Sequence, residues 1–247
     1  MKALFCVSTL LALCVAIVAQ DSSYYKAIEK AASTPVHPKE FKQIEQDALN
    51  DYSHPEGYER LATAFGNSTE KVWAVIYGEV FCNLSPDTDH RNAIGSLVYQ
   101  TYERSLSNND GKLSVDLTEN AQAAPGQAPF ESQFEMAFLM GAVPLGKSLT
   151  PLSIEKLTQI RKNQLSLWNQ KRLPSNDLMR WQQLITSAGH FDAYNYGLFQ
   201  NARADEFNQW TKEHLAQYQN WLDWLAKNKF TVQTPDFQRL YLIRGRH

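Results

Sequence analysis

Residues 72–81 read VWAVIYGEVF, the most apolar of the helices that the sequence predicts. Wound as an α-helix, this stretch has apolar side chains on nearly every face, and such a helix is buried on all sides. The sequence therefore predicts a central helix here. Glu79 interrupts the apolar run, and an unpaired buried carboxylate is strongly unfavourable. We expect Glu79 either to pair with an arginine, such as Arg91 or Arg104, or to take up a proton.

Apolar side chains recur at helical spacing on both sides of this stretch, with Pro and Gly between the segments. The longest predicted helix runs from about Asp205 to Lys227. Strand-like alternation is confined to KLSVDL (112–117) and KFTVQ (229–233). The sequence thus predicts an all-α fold of about ten helices in antiparallel hairpins, as a helical bundle or a short irregular solenoid, with at most one or two short strands. Inward-facing stripes are expected within 41–49, 58–65, 94–102, 130–138 and 178–188.

Composition shifts along the chain suggest its domain organisation. Residues 1–19 are predicted to be a signal peptide, and 20–106 form an N-terminal helical region. Residues 107–128 are rich in Gly, Pro, Asn and Gln, which is typical of an irregular linker or loop. A C-terminal helical region, 129–247, follows. The alternative is one continuous domain over 20–247.

The start of the chain has the pattern of an export signal. Lys2 precedes an apolar run over 3–18, and small Ala19 stands before the polar residues 20–23. We predict cleavage after Ala19 and a secreted or periplasmic protein with no membrane span after cleavage. The alternative is an N-terminal membrane anchor, for which the run is short. In a eukaryotic host, Asn67–Thr69 would then be a glycosylation acceptor.

Charge and cysteine content narrow the function classes. The chain has 24 Lys and Arg against 26 Asp and Glu, a net charge of −2, and cleavage after Ala19 also removes Lys2. This balance indicates neither nucleic acid nor an anionic membrane surface as a partner. Cleavage removes Cys6 and Cys14 as well, which leaves Cys82 without a partner for an intrachain disulfide. Stability is then expected to come from the packed core.

Residues 141–148, GAVPLGKS, match the phosphate-binding pattern G-x-x-x-x-G-K-[ST]. That motif works between a strand and a helix that begins directly behind the lysine. Here residues 130–140 continue a helical pattern, and Pro151 would interrupt a helix begun at Gly146. We therefore expect no ATP at Gly141–Ser148, and we predict that this segment connects two helices, the second of which begins at Thr150–Pro151 and runs to about Arg172.

Two further stretches resemble cation sites in part. Residues 106–117, LSNNDGKLSVDL, share the inner spacing of a calcium-binding loop, but leucines replace its first and twelfth ligands. Asp87, Asp89 and His90 are three metal-binding residue types within one short segment. Acidic residues in a first helical turn also offset the helix dipole, which is the interpretation we favour. We expect no metal ion and no other cofactor.

A carboxylate-based site is the enzymatic alternative. Glu79 is one candidate catalytic residue, because buried carboxylates cluster at functional sites, and His90 beside Asp87 and Asp89 is the other. A hydrolase or other enzyme would need one of these groups in a cleft open to solvent. The chain has no G-x-S-x-G or H-E-x-x-H motif that favours a particular reaction.

Aromatic residues are concentrated in the last third of the chain. Such residues line carbohydrate or peptide grooves, but at helical spacing they also build cores. We predict a non-catalytic binding or scaffolding protein that uses an aromatic-rich groove for a protein, peptide or glycan partner. A small-ligand carrier with an aromatic-lined cavity is a third hypothesis. The candidate groove residues are Tyr194, Tyr196, Trp210, Trp221 and Trp224.

Overall fold

The structure of the chain, a computed structural model, describes residues 38–109, 112–118 and 130–234. These residues form 10 α-helices, one 3-10 helix and one antiparallel strand pair, which confirms the predicted all-α fold. The predicted signal peptide lies outside the described residues. Within them, no helix combines the length and the apolarity needed to cross a bilayer. The elements are α1 (Pro38–Asn50), α2 (Glu56–Phe65), α3 (Lys71–Leu84), α4 (Thr88–Ser105), β1 (Leu106–Asn109), β2 (Lys112–Val115), α5 (Phe130–Ala142), the 3-10 helix (Val143–Leu149), α6 (Ile154–Gln170), α7 (Asp177–Ser187), α8 (Phe191–Leu198), α9 (Ala204–Glu213) and α10 (Leu215–Lys227).

Helix α3 lies at the centre of the fold. Its residues 72–81 are all buried. It packs against α2 and α4, its neighbours along the chain, and it also contacts α5 and α7 from the second half of the sequence. The predicted central helix is therefore confirmed, and one hydrophobic core extends from α1 to the segment after α10.

Two glycines allow helices to approach each other closely. A Cβ atom on Gly78 of α3 would lie 2.5 Å from Cγ2 of Val98 on α4. A Cβ atom on Gly95 of α4 would lie 2.2 Å from the carbonyl oxygen of Leu198 at the end of α8. A backbone atom cannot turn aside as a side chain can, so the missing side chain at Gly95 determines how near α8 lies to α4.

The region 107–128, predicted to be irregular, begins as part of a β-hairpin. Strands β1 and β2 pair antiparallel, with Leu106 opposite Val115. The alternation in 112–117 predicts β2, whereas the polar sequence of β1 has no comparable apolar pattern and does not predict a strand. Residues 119–129 of the predicted linker lie outside the described residues.

Residues 141–148 join two helices, as predicted. Helix α5 ends at Ala142, and the 3-10 helix Val143–Leu149 follows it directly. Gly146 within this segment has a φ of 51°, a left-handed angle that glycine adopts without strain. The segment before Gly141 is helical rather than a strand, so the strand–loop–helix context of a phosphate-binding loop is missing here.

The long helix predicted from about Asp205 to Lys227 is in fact two helices. Helix α9 ends at Glu213 and α10 begins at Leu215, with His214 between them at φ −124° and ψ 31°. Nδ1 of His214 lies 3.0 Å from the carbonyl oxygen of Trp210. The backbone N–H of His214 donates to the same oxygen at 2.9 Å, so the helical hydrogen bond of this turn is kept and the break lies in the backbone angles of His214. Apolar periodicity continues across the break and does not reveal it.

The start of α6 and the candidate strand near the end of the described chain also differ from the prediction. Helix α6 is capped by Ser153, whereas Thr150–Pro151 was expected to begin it. The candidate strand 229–233 has no strand partner among the described residues. Phe230 and Val232 are nevertheless buried, so the alternation in this segment reflects an extended chain that packs one side against the core.

Candidate functional site

A buried polar centre lies where α3, α6, α7 and α8 meet. Glu79 of α3 is 1% exposed, and its Oε1 accepts three hydrogen bonds. The donors are Nη2 of Arg161, Nε2 of Gln182 at 2.6 Å and the hydroxyl of Tyr194 at 2.7 Å. Hydrogen bonds to a charged group are stronger than neutral ones, so these three donors offset the desolvation of the carboxylate.

Arg161 supplies the positive charge of this centre. Its side chain is 2% exposed, and its Nη1 donates to Oδ1 of Asn195. Burial is the largest single effect and would lower the pKa of Arg161, but the charge of Glu79, its hydrogen bond and the nearby Tyr102 and Tyr194 together raise the pKa above its ordinary value. The guanidinium also lies 5.4 to 5.8 Å from the centroids of three rings, those of Phe191, Tyr194 and Phe199.

The arginine that pairs with Glu79 is neither of the two candidates named from the sequence. Arg161 stands 82 positions further along the chain. Arg91 and Arg104 both lie on α4, and each donates a hydrogen bond within that helix instead. The expectation of an arginine partner is thus met, but its identity was predicted wrongly because the pairing is long-range.

A signal for Arg161 was present in the sequence. Its position falls on the buried stripe of α6 that Ile154, Leu157, Leu165 and Trp168 form. A charged residue within an apolar stripe indicates a buried ion pair, since lone charges are almost never fully buried. The stripe does not identify the partner, which requires knowing that α6 crosses α3.

Asn83 extends the polar centre towards the end of α3. Its Nδ2 donates to the Glu79 carbonyl oxygen at 2.7 Å and to the Tyr194 hydroxyl at 2.8 Å, and its Oδ1 accepts from Nε1 of Trp181 at 2.9 Å. Burial, and then the charge of Glu79, raises the pKa of Tyr194 well above its ordinary value. We interpret this network as structural, because its donors and acceptors form hydrogen bonds with one another and link four helices.

Asp87, Asp89 and His90 form the beginning of α4. Oδ1 of Asp87 accepts the backbone N–H groups of Asp89 at 2.9 Å and His90 at 3.0 Å, which makes it the helix N-cap. The hydrogen bond from the His90 N–H is the main reason that the pKa of Asp87 is lowered. Nδ1 of His90 lies 2.6 Å from Oε1 of Glu59 on α2. Among the described residues, no three His, Cys, Asp or Glu side chains are grouped to hold a metal ion.

The five aromatic residues predicted to line a groove are mostly buried. Tyr194 and Trp221 are each 5% exposed, and Tyr196 and Trp210 are each 9% exposed. Tyr196 stacks on Trp210 with ring centroids 4.4 Å apart, and Trp221 stacks on Trp224 at 5.5 Å. Burial raises the pKa of Tyr196 to about 12. Tyr196, Trp210 and Trp224 thus pack within the fold, whereas Tyr194 and Trp221 also line a cleft.

This cleft lies between α10 and the rest of the fold, and its volume is about 180 Å³. The end of α3 and the start of α4 contribute mainly polar residues to it, and α8 and α10 contribute mainly apolar ones. Leu222 of α10 is 39% exposed and lies at the cleft. The polar lining residues are Cys82, Asn83, Arg91, Asn92 and Gln200, and the large apolar and aromatic ones are Tyr194, Leu198, Tyr218, Trp221, Leu222 and Leu225.

The polar groups of the cleft differ in how fully they are engaged. Asn83 is held by the buried centre, and Sγ of Cys82 donates to the Arg91 carbonyl oxygen at 3.4 Å. Burial raises the pKa of Cys82, so its thiol stays protonated at neutral pH. Arg91 is half-buried, and within the described part of the chain its guanidinium makes one hydrogen bond, from Nη2 to Oγ1 of Thr88 at 3.1 Å. Sequence analysis named Arg91 only as a partner for Glu79 and did not assign it to a cleft.

No protein-family model, curated protein or solved structure matches this chain at a significant level. The functional argument therefore rests on the geometry of the described residues. That geometry comprises a buried ionic centre, a capped helix start beside His90 and a cleft with one aromatic and one polar set of residues.

Proposed function

We propose that this chain is a non-catalytic binding protein and that the cleft beside α10 is its recognition site. One observation carries the proposal: the cleft is lined by Tyr194 and Trp221, while Glu79 and His90 do not line it. Mainly apolar and aromatic walls with a few placed polar groups are typical of ligand sites. The support comes from two of the five aromatic residues predicted from the sequence; the other three serve the core.

The volume of the cleft limits what it holds. Its size of about 180 Å³ is close to the roughly 150 Å³ that accommodates benzene. Typical pockets for drug-sized molecules are larger, at about 300–1,000 Å³. The cleft therefore suits one ring-sized apolar group. Such a group belongs either to a small molecule or to a single side chain that a protein or peptide partner presents.

The cleft has no group suited to acid–base or nucleophilic catalysis. Glu79 is buried and paired with Arg161, and His90 is held by Glu59 on α2. Among the described residues that line the cleft, the thiol of Cys82 is kept protonated by its raised pKa, and the hydroxyl of Tyr194, whose pKa is also raised, is bonded to Glu79 and Asn83. A general acid or base must reach the substrate directly or through one water molecule. We therefore place binding ahead of the hydrolase alternative.

We also propose that the protein acts outside the cytoplasm, on the strength of the signal pattern in residues 1–19. If the signal is cleaved after Ala19, mass spectrometry of the exported protein should find Gln20 at its N terminus. Retention of Met1 or Lys2 in exported protein would contradict the cleavage.

The binding function is tested with benzyl alcohol, a neutral ring compound, by ligand-observed NMR. The decisive variant is Leu222→Trp, which fills the cleft from α10. Leu215→Trp is its matched control, because Leu215 is an exposed leucine of the same helix, 65% exposed, that does not line the cleft. We expect wild type and L215W to bind benzyl alcohol and L222W to lose at least about tenfold in affinity, the equivalent of one to two methylene-sized contacts.

Equal binding by L222W and L215W would show that the ring compound binds elsewhere. Methyl glucoside serves as the second ligand, since a sugar ring of similar size tests a glycan partner. If methyl glucoside binds more tightly than benzyl alcohol, and if L222W weakens that binding, the ligand of the cleft is a carbohydrate and not an apolar ring.

A further inference from the structure

The polar side of the cleft has an unused capacity to bind an anion. We propose that the cleft selects a ligand in which a carboxylate adjoins the ring-sized apolar group, and that Arg91 and Asn92 bind the carboxylate. This inference rests on the proposed binding function and adds the chemical class of the ligand. A small aromatic acid and the C-terminal residue of a peptide share this chemistry.

The first observation concerns charge. Among the described residues that line the cleft, Arg91 is the only one with a charged side chain. None of the ion pairs in the described part of the chain includes it. Asp87, which caps α4, interacts with Arg91 through its charge without a hydrogen bond among the described contacts, and Glu59 binds His90. A guanidinium has five N–H donors in a planar fork. With one hydrogen bond to Thr88, Arg91 keeps donors for a bidentate contact with a carboxylate.

The second observation concerns Asn92, the next residue on α4. Asn92 is 8% exposed and lines the same cleft. Its Oδ1 accepts a hydrogen bond from Nε2 of Gln200 at 2.9 Å, and this contact fixes the orientation of the carboxamide. No described residue accepts a hydrogen bond from its Nδ2. This nitrogen keeps its donor capacity at the cleft, and a ligand carboxylate that contacts Arg91 would supply an acceptor for it.

The third observation concerns the body of the ligand. The cleft residues of α8 and α10 are mostly apolar or aromatic, with Tyr194, Tyr218 and Trp221 supplying rings. An inorganic anion would leave these side chains without contact. A ligand that carries a carboxylate and a ring uses both sets of residues, and it fits a cleft of about 180 Å³ better than a larger molecule does.

The test compares phenylacetate with phenylacetamide, which keeps the ring and replaces the carboxylate by a neutral amide. Arg91→Gln removes the charge at the cleft. Arg104→Gln is the matched control, because Arg104 lies on the same helix, is exposed and donates to Gln100. We expect wild type and R104Q to bind phenylacetate roughly tenfold more tightly than phenylacetamide, as a charge-assisted contact provides. R91Q should bind the two compounds about equally.

A second variant tests Asn92 without disturbing its contact to Gln200. Asn92→Asp keeps the oxygen that accepts the hydrogen bond from Gln200, but it places a negative charge beside the ligand carboxylate. N92D should therefore weaken phenylacetate binding by a larger factor than it changes the binding of uncharged benzyl alcohol. Circular dichroism and thermal unfolding of each variant establish that it is folded.

Two peptides distinguish the sources of the carboxylate. Acetyl-glycyl-phenylalanine has a free C-terminal carboxylate, and its C-terminal amide lacks one. Displacement of phenylacetate by the free acid, but not by the amide, supports the proposal with a polypeptide C terminus as the ligand. Displacement by neither supports it with a small free acid as the ligand.

Two further outcomes separate failure of this inference from failure of the proposed function. If wild type binds phenylacetate and phenylacetamide equally, or if R91Q still discriminates between them, the carboxylate proposal is overturned, while cleft-dependent binding of benzyl alcohol upholds the binding function. If wild type binds none of the three ring compounds, the binding function itself is overturned.

Discussion

The buried ionic centre and the cleft beside α10 each contain an arginine, but they use it differently. In the centre, Arg161 is 2% exposed, pairs with Glu79 and donates to Asn195. At the cleft, Arg91 is half-buried and donates to one threonine. Tyr194 belongs to both regions, since its hydroxyl bonds to Glu79 and the residue also lines the cleft.

The difference between the two arginines separates a structural role from a recognition role. Both regions contain polar or charged side chains that are buried or half-buried, and this property alone would make either region a candidate site. What distinguishes them is how completely their donors and acceptors are used within the chain. The N–H groups of Arg161 donate to Glu79 and Asn195. At the cleft, by contrast, some side-chain N–H groups of Arg91 and Asn92 make no hydrogen bond with the described residues and lie beside an apolar surface.

The largest expected effect is on the buried centre. Arg161→Met should lower the free energy of unfolding by about 3–5 kcal/mol, because it leaves the Glu79 carboxylate buried without its countercharge. Urea denaturation measures the change. The double variant E79L/R161M removes both charges and should lose less than R161M alone. Surface substitutions usually change the free energy of unfolding by no more than about 0.5 kcal/mol. A loss of that size for R161M would contradict a structural role for the buried centre.

Tyr194→Phe acts on the residue that the two regions share. It should cost about 1.5–3 kcal/mol of unfolding free energy, since the hydroxyl bonds to a buried carboxylate. The ring remains, so binding of benzyl alcohol should change little. Tyr196→Phe is the control, because the hydroxyl of Tyr196 makes no hydrogen bond with the described residues. If Y194F weakened binding as much as it weakened the fold, the two regions would not be separable.

Gly95→Ala tests the contact that sets the distance between α4 and α8, and hence the width of the cleft. The added Cβ would meet the Leu198 carbonyl oxygen at 2.2 Å, so we expect a loss of about 1–3 kcal/mol and an altered affinity for benzyl alcohol. Gly197→Ala, in α8, is the control for stability alone, because Gly197 lines the cleft and its added Cβ would lie an ordinary 3.8 Å from Tyr218. Similar thermal unfolding of G95A and G197A would contradict the steric argument.

The smallest expected effect concerns the exposed cap Asp87. Its pKa is lowered in the folded protein, chiefly by the His90 N–H, so the unfolded chain takes up the proton first. The charge therefore stabilises the fold above the ordinary aspartate pKa of about 3.9, and this contribution is lost as the pH falls through the lower folded value. Urea denaturation at several pH values should find wild type slightly more stable than D87N near neutrality, with the difference vanishing in acid.

Much of the fold could be predicted because burial leaves a local pattern. The apolar residues on every face of 72–81 predict the central helix, and the connector at 141–148 follows from the helical spacing before it. The break at His214 could not be predicted, because a change in the backbone angles of one residue leaves the apolar spacing on both sides unchanged. Strand β1 could not be predicted either, because its sequence is polar and only its pairing with β2 in the folded chain makes it a strand.

The candidate site was less predictable because it is assembled from distant helices. The sequence identified Glu79 as needing a partner, but Arg161, Gln182 and Asn195 reach it from three other helices. The aromatic stripes likewise gave no means of telling core from surface. Tyr194 and Trp221 line the cleft while the other candidates pack within the fold, a distinction that depends on how α10 lies against α8.

The double duty of Tyr194 has a consequence for how this protein can change over generations. A substitution at Tyr194 alters the carboxylate bond of the core and the surface of the cleft together, so few replacements satisfy both. Leu222 and Leu225 of α10 face the cleft and take no part in the polar network around Glu79. Drift or selection at these two leucines can therefore give descendants of this chain new ligands while the ion pair that holds its helices together is inherited unaltered.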